Sequence, residues 1–206
     1  IAEQEQLLFE NRQYMNRLRK LYSKAELFEK VVLSDIPIKE TVTDLKNNLT
    51  LKKYQLTSGF YAGMHLETPG SGYINFDGES IVVLSARGIL AFQKKFTDDS
   101  QNFKQIKNNI NDFIGIEQFE KDYKNSVRDL HIAKGKIYIS YIEEIKKDCW
   151  NTSIIFGDMN YQNINLIKLF SPRECIHSKD NIDKDFQAAQ SGGKIISLDE
   201  DHIILS

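Results

Sequence analysis

The chain of 206 residues has few of the features that mark several common protein classes. It has three prolines, and an apolar run such as Ile81-Val82-Val83-Leu84 is far shorter than the roughly 18 residues of a membrane-spanning helix. Lys and Arg number 27 against 29 Asp and Glu, so the net charge of −2 shows no basic excess and argues against nucleic-acid binding. The nine Tyr and twelve Phe are more than a disordered chain carries.

Cysteine is equally scarce, since Cys149 and Cys175 are the only two. Two is the minimum for one disulfide, and the sequence alone does not separate that reading from two buried thiols. The four histidines share no metal-ligand spacing, and no metal site is predicted from them. Asp180, Asp183 and Asp185 resemble a loose calcium loop that lacks the Gly and Glu of an EF-hand, so calcium competes there with a solvated acidic loop.

Residues 1–34 are predicted to form an amphipathic helix. Two interleaved sets of residues recur every seven positions. They are Leu7, Tyr14, Leu21 and Phe28, and Gln4, Asn11, Leu18 and Ala25. This heptad pattern is typical of a coiled-coil stalk, although its polar first half equally suits a single helix packed on its own domain. Because the sequence starts at Ile1 and not at Met, we expect an upstream signal peptide or membrane tether.

Residues 35–53 are polar and are predicted to be a connector, in which Pro37 prevents helix continuation and residues 43–48 form a short helix. From residue 54 the pattern becomes strand-like. Short β-branched or alternating runs, separated by turn residues, predict an antiparallel meander. The predicted strands are 73–76, 80–85, 88–92, 127–132, 136–142, 150–160, 164–170, 193–198 and 202–206. Residues 96–116 read as a loop or an insertion with apolar residues at helical spacing.

The segment 126–206 carries a family resemblance. Residues 190–206, QSGGKIISLDEDHIILS, combine Gly-Gly, an apolar strand, an acidic turn and a second apolar strand, and residues 135–141, GKIYISY, form an alternating strand. Both resemble segments of the glucose/sorbosone dehydrogenase β-propellers. The resemblance implies an all-β propeller, present as its first few blades over residues 54–206 and preceded by the helix. The remaining blades are expected from a longer chain or a second polypeptide.

In that family a catalytic His precedes the Gly-Gly pair and acts as the base while pyrroloquinoline quinone (PQQ) accepts hydride. Gln190 occupies this position, and a Gln side chain has no basic function near neutral pH. The expected function is therefore a divergent, non-catalytic module that binds a carbohydrate or a protein. A PQQ-dependent sugar dehydrogenase using another base remains an alternative, as does a structural subunit that forms homo-oligomers through its helix. The candidate ligand-binding residues are Gln190, Gly192, Gly193, Arg87 and Arg128.

The resemblance also places Cys149 soon after the alternating strand. A disulfide between Cys149 and Cys175 would fit an exported protein, so a periplasmic or extracellular location is expected, with membrane anchoring upstream.

Overall fold

The structure, a computed structural model, describes residues 4, 6, 39–55, 72–85, 88–94, 103–114, 126–182, 184 and 191–206. The chain divides into two compact units, Ile1–Val32 and Leu33–Ser206. In the first unit the described residues are Gln4 and Gln6, and both are helical. The rest of the helix predicted over residues 1–34 lies outside the described residues, so the stalk stays a prediction.

The predicted connector contains a β-hairpin, which we call the N-terminal hairpin. Strands β1 (Lys39–Asp44) and β2 (Thr50–Gln55) pair antiparallel. Lys46–Asn48 between them form a 3-10 turn, with Asn47 at a φ of 67°. The expected short helix over 43–48 is thus limited to this turn, because Thr41, Val42 and Thr43 favour an extended backbone.

Sheet I is an antiparallel meander of four strands with a fifth strand added at one edge. Its strands are β3 (Gly72–Asp77), β4 (Ser80–Ser85), β5 (Leu90–Gln93) and β6 (Lys104–Asn108). Strand β10 (Asn163–Ile164) pairs parallel with β6. The helical reading of residues 96–116 is wrong for 104–108. There Ile106 is buried and pairs with Leu90, and a 3-10 turn follows at Ile110–Asp112.

Sheet II repeats the meander. Its strands are β7 (Val127–Ala133), β8 (Lys136–Lys146), β9 (Cys149–Asp158), β11 (Ile167–Phe170) and β12 (Ile176–His177). The order is β11-β9-β8-β7, and β12 pairs with the start of β9. Lys134 and Gly135 both have positive φ, at 52° and 68°, which confirms the hairpin turn predicted there.

The strand predicted over 164–170 is divided between the two sheets. Asn109, on the loop after β6, accepts a hydrogen bond from the Leu166 backbone N–H at 2.7 Å and donates one to the Leu166 carbonyl at 3.1 Å. This side chain satisfies the backbone of Leu166, which lies between β10 in sheet I and β11 in sheet II.

The last two strands, β13 (Ile195–Ser197) and β14 (Ile203–Leu205), form the C-terminal hairpin, which lies against β7 and β8. Its turn is held by Asp199, whose carboxylate accepts hydrogen bonds from the backbone N–H groups of Asp201 and His202, both at 2.8 Å. The described part of the second unit thus stacks sheet I, sheet II and the C-terminal hairpin in that order.

One apolar core lies between the two sheets. Sheet I contributes Val82, Leu84, Leu90 and Ile106, and sheet II contributes Val127, Leu130, Ile137, Ile139, Tyr141 and Ile155. The two edge strands β3 and β7 lie side by side. Tyr73 donates to the Val127 carbonyl at 2.8 Å and Asn75 donates to the Leu130 carbonyl at 3.0 Å. The side chains of Tyr73 and Asn75 on β3 thus provide hydrogen-bond donors for backbone carbonyl groups at the edge of β7. The expectation of an all-β fold is confirmed.

Candidate functional site

A set of polar contacts lies where the C-terminal hairpin meets β7 and β8. Asp129 on β7 is its centre, with a side chain only 5% exposed. Its carboxylate accepts a hydrogen bond from the Ile195 backbone N–H at 2.8 Å and one from Lys194 Nζ at 3.0 Å. A buried carboxylate requires such donors, and here both come from β13 or the residue before it. Asp129 therefore fixes the hairpin on sheet II.

The Gly-Gly pair is held from the same face. Ser140 donates a hydrogen bond to the Gly193 carbonyl, and Thr152 donates one to the Gly192 carbonyl at 3.3 Å. A Cβ on Gly193 would lie 2.4 Å from the Cβ of Arg128, and a Cβ on Gly192 would lie 2.1 Å from the Ser206 carbonyl oxygen. Glycine is required at both positions because other parts of the chain approach so closely.

His131 and Ser197 form a second contact between the same strands. Nε2 of His131 lies 2.8 Å from Oγ of Ser197, within hydrogen-bond distance. Burial lowers the pKa of His131 below 6.5, and the positive charge of Lys194 lowers it further. The negative charge of Asp129 raises the pKa and offsets part of this effect. The imidazole is therefore neutral at pH 7, when one ring nitrogen can accept a proton.

The aromatic neighbours of His131 continue across sheet II. Tyr138 lies opposite His131, and Phe156 lies opposite Tyr138. The rings of Tyr138 and Phe156 stack at a centroid distance of 6.0 Å, and Lys136 Nζ lies 5.7 Å from the centre of the Phe156 ring. The rings of Tyr138 and Phe156 thus form an amphipathic surface beside the charged groups of the site.

Three of the five candidate ligand-binding residues come together here, namely Gly192, Gly193 and Arg128. Gln190 and Arg87 lie outside the described residues. Asp129, the residue after Arg128, pairs with Lys194. Sequence reasoning missed His131, Lys194 and Ser197 as neighbours. The one available signal was the presence of three polar residues, Arg128, Asp129 and His131, within the strand Val127–Ala133.

Comparisons with protein-family models, with curated proteins and with solved structures found no match to this chain. The assignment of a function therefore depends on the residues themselves.

The disulfide predicted between Cys149 and Cys175 is present, with the two Cα atoms 5.3 Å apart. It ties the beginning of β9 to the residue before β12. Disulfides persist in oxidising compartments, so the bond is compatible with a periplasmic or extracellular location.

Within the described ranges, His, Cys, Asp and Glu do not gather into a group of three or more that could hold a metal ion. Of the predicted calcium loop, Asp180 lies within the described residues, whereas Asp183 and Asp185 lie outside them. Over the same part of the chain, no helix combines the length and the apolar character needed to cross a membrane.

Proposed function

We propose that the second unit is part of an exported, non-catalytic β-propeller of the divergent glucose/sorbosone dehydrogenase type. It binds a carbohydrate or a protein partner where its innermost strands meet.

The observation that carries the proposal is the repeated strand order. Sheet I and sheet II each contain a meander of four antiparallel strands. The first strands of the two meanders, β3 and β7, lie side by side, and β13 lies against β7 in turn. Propeller blades are four-stranded sheets arranged around a central channel, and such an order places successive first strands around it.

The chemistry of those first strands suits ligand binding. Strands β4 and β5 are almost entirely buried, and β4 is mostly apolar. By contrast, β7 carries Arg128, Asp129 and His131, and Lys194 and Ser197 lie on or beside β13. Clustered charged groups, hydroxyls and an imidazole provide the hydrogen-bond donors and acceptors that a sugar or a polar peptide requires.

Two features argue for binding without the family's redox chemistry. Gln190, at the position of the expected base, has no basic side chain. In addition, the carbonyls of Gly192 and Gly193 and the space beside both residues are taken by contacts within the protein. The glycines thus serve the packing of the hairpin.

The test is a glycan-array screen followed by calorimetric titration of the best carbohydrate. Arg128→Met keeps the aliphatic stem that packs beside Gly193 and removes the guanidinium. We expect it to weaken binding by at least about tenfold, the effect of losing one charged hydrogen bond. Arg173→Met, at an exposed position in the segment before β12, is the matched control and should bind normally. Equal affinity of all three proteins would place the binding site elsewhere.

A PQQ-dependent sugar dehydrogenase is the second candidate, and the pair His131–Ser197 favours it. A neutral imidazole is a competent general base at pH 7, and it lies on one of the proposed innermost strands. Arg128 and Lys194 supply positive charge for an anionic quinone, although Lys194 is already paired with Asp129. Dye reduction by an aldose after addition of PQQ and calcium, abolished in His131→Gln, would select this candidate over simple binding.

A further inference from the structure

A row of three rings crosses sheet II near one of its ends, and we call it the aromatic row. His131 on β7, Tyr138 on β8 and Phe156 on β9 lie opposite one another across the strands, so their side chains project from one face of the sheet. Neighbouring ring centroids are 6.2 Å and 6.0 Å apart, and the planes of Tyr138 and Phe156 differ by 15°. All three residues are partly exposed, so the row presents ring surface to solvent.

The aromatic row starts at the polar contacts of the C-terminal hairpin. Oγ of Ser197 lies 2.8 Å from Nε2 of His131, the first ring of the row. From there the row runs outward across β8 to β9 and stays close to the Lys134–Gly135 turn, from which two strand pairs separate it. It therefore extends the proposed ligand site from the first strand of sheet II over the ring faces beside it.

Three lysines near the aromatic row have acidic partners. The ion pairs are Lys136–Asp158 at 2.6 Å, Lys194–Asp129 at 3.0 Å and Lys134–Glu200 at 3.8 Å. An uncharged ligand complements such a surface, whereas a charged ligand would have to displace one partner of an existing pair.

These features fit a sugar ring. One face of a pyranose ring carries C–H groups that pack on an aromatic ring, whereas the hydroxyls around its edge require hydrogen-bond donors and acceptors. Tyr138 and Phe156 supply nearly parallel ring faces. Ser197 lies at the β7 end of the row, and Lys136, paired with Asp158, lies beside Phe156. Because two ring faces lie side by side, the row accommodates at least two consecutive sugar units.

The direction of the row disfavours an extended peptide. The row runs across the strands, and β8 and β9 are each paired on both sides, so no open strand edge adjoins Tyr138 or Phe156. An extended peptide that binds a sheet adds a strand at an open edge, where its backbone gains hydrogen bonds. On the aromatic row such a peptide would have ring contacts without those backbone bonds.

We propose that the aromatic row binds a neutral oligosaccharide of two or more sugar units, which stack on Tyr138 and Phe156 while Ser197 bonds a hydroxyl at the β7 end. The inference rests on the proposed binding function and names its ligand class and the residues that select it. Stacking contributes most of the affinity, because the polar groups beside the row are already bonded within the protein.

The test is a glycan array of neutral and charged oligosaccharides, followed by calorimetric titration of the best neutral sugar as a series from the monosaccharide to the tetrasaccharide. We expect the bound glycans to be neutral. The affinity should rise at least about tenfold from the monosaccharide to the disaccharide, as the second ring becomes stacked. In proton NMR spectra the ring C–H signals of the bound sugar should move upfield, because they lie over aromatic faces.

Variants of the row locate the contact. Tyr138→Leu and Phe156→Leu each remove one ring and should weaken binding at least about tenfold, the effect of losing one aromatic contact at an interface. Tyr138→Phe keeps the ring and should bind within about threefold of wild type. Phe170→Leu, at an exposed position of β11 outside the row, is the matched control and should bind normally.

Binding confined to charged glycans would refute the ligand class, and normal binding by both Tyr138→Leu and Phe156→Leu would refute the site. If Arg128→Met lost a carbohydrate that those two variants still bound, the proposed function would stand and the aromatic row would be wrong. Titration with a proline-rich peptide, a class that docks on aromatic grooves, tests the protein alternative. Binding of that peptide and of no carbohydrate would overturn this inference alone, whereas a protein that bound neither class would refute both proposals.

Discussion

Replacing Asp129 should loosen the attachment of the C-terminal hairpin to sheet II. Asp129→Ala removes both hydrogen bonds of the carboxylate and leaves the N–H of Ile195, a residue only 1% exposed, without an acceptor. Asp129→Asn keeps an oxygen that can accept the hydrogen bond from the Ile195 N–H, but it loses the negative charge that attracts Lys194.

The two bonds differ in expected energy. The bond to the Ile195 N–H involves a charged acceptor and a buried donor, and such bonds contribute about 1.5–3 kcal/mol. The Lys194 side chain is 66% exposed, so its ion pair contributes at most about 1 kcal/mol because solvent screens it. We therefore expect losses of about 3 kcal/mol for Asp129→Ala, about 1 kcal/mol for Asp129→Asn and under about 1 kcal/mol for Lys194→Met.

Urea unfolding followed by tryptophan fluorescence gives these free energies, because Trp150 lies in sheet II. Hydrogen exchange at the Ile195 amide supplies a local readout and should accelerate in Asp129→Ala. The reasoning is refuted if Lys194→Met costs as much as Asp129→Ala, since the exposed ion pair would then dominate. It is equally refuted if Asp129→Ala stays within about 0.5 kcal/mol of wild type, the usual effect of a neutral surface substitution.

Three further measurements test separate parts of the structure. Reducing the Cys149–Cys175 bond, which joins residues 26 apart, should lower the unfolding free energy by about 3 kcal/mol, and before reduction neither thiol should react with a maleimide. Burial raises the pKa of Glu143, but hydrogen bonds from Lys168 and two serines outweigh it and lower the pKa below 4.5. Its stabilisation is thus complete at neutral pH and lost as the pH falls below 4.5, so acid titration of Glu143→Gln should show a shallower decline than wild type. Gly193→Ala should lower the unfolding free energy by about 2–4 kcal/mol, because the new Cβ collides with Arg128 and the backbone is strained at a positive φ. Gly135→Ala should lower it by about 1 kcal/mol, because the φ is positive there but no atom lies within 4 Å of the new Cβ. Urea unfolding midpoints check both values.

Local patterns predicted the strands well where one face of a sheet is buried. The alternation of Ile137, Ile139 and Tyr141 and the Lys134–Gly135 turn were sufficient to identify the hairpin of β7 and β8. Strand β6 escaped prediction because its sequence is polar, and the strand predicted over 164–170 gave no sign that its first residue would pair with β6. Hydrophobic periodicity reports the burial of one element and carries no information about which strand will pair with it.

The candidate site was predictable only in part. The Gly-Gly pair was recognisable as a special backbone position, and the structure shows why, since Gly193 has a φ of 146° beside Arg128. Asp129 and Lys194 are 65 residues apart in the chain, and His131 and Ser197 are 66 apart. Contacts over such separations arise from the stacking of sheets, which one sequence does not specify.

The position of β10 has a consequence for how this protein can be divided. Its two residues come from the segment between β9 and β11 of sheet II, yet they pair with β6 at the edge of sheet I. The chain thus returns to the first meander before completing the second. A cut made between the two meanders would leave β6 paired with β5 alone and β10 without a sheet. Shuffling or duplication of single repeats would meet the same obstacle, and a pulling force applied to one sheet would be transmitted directly to the other.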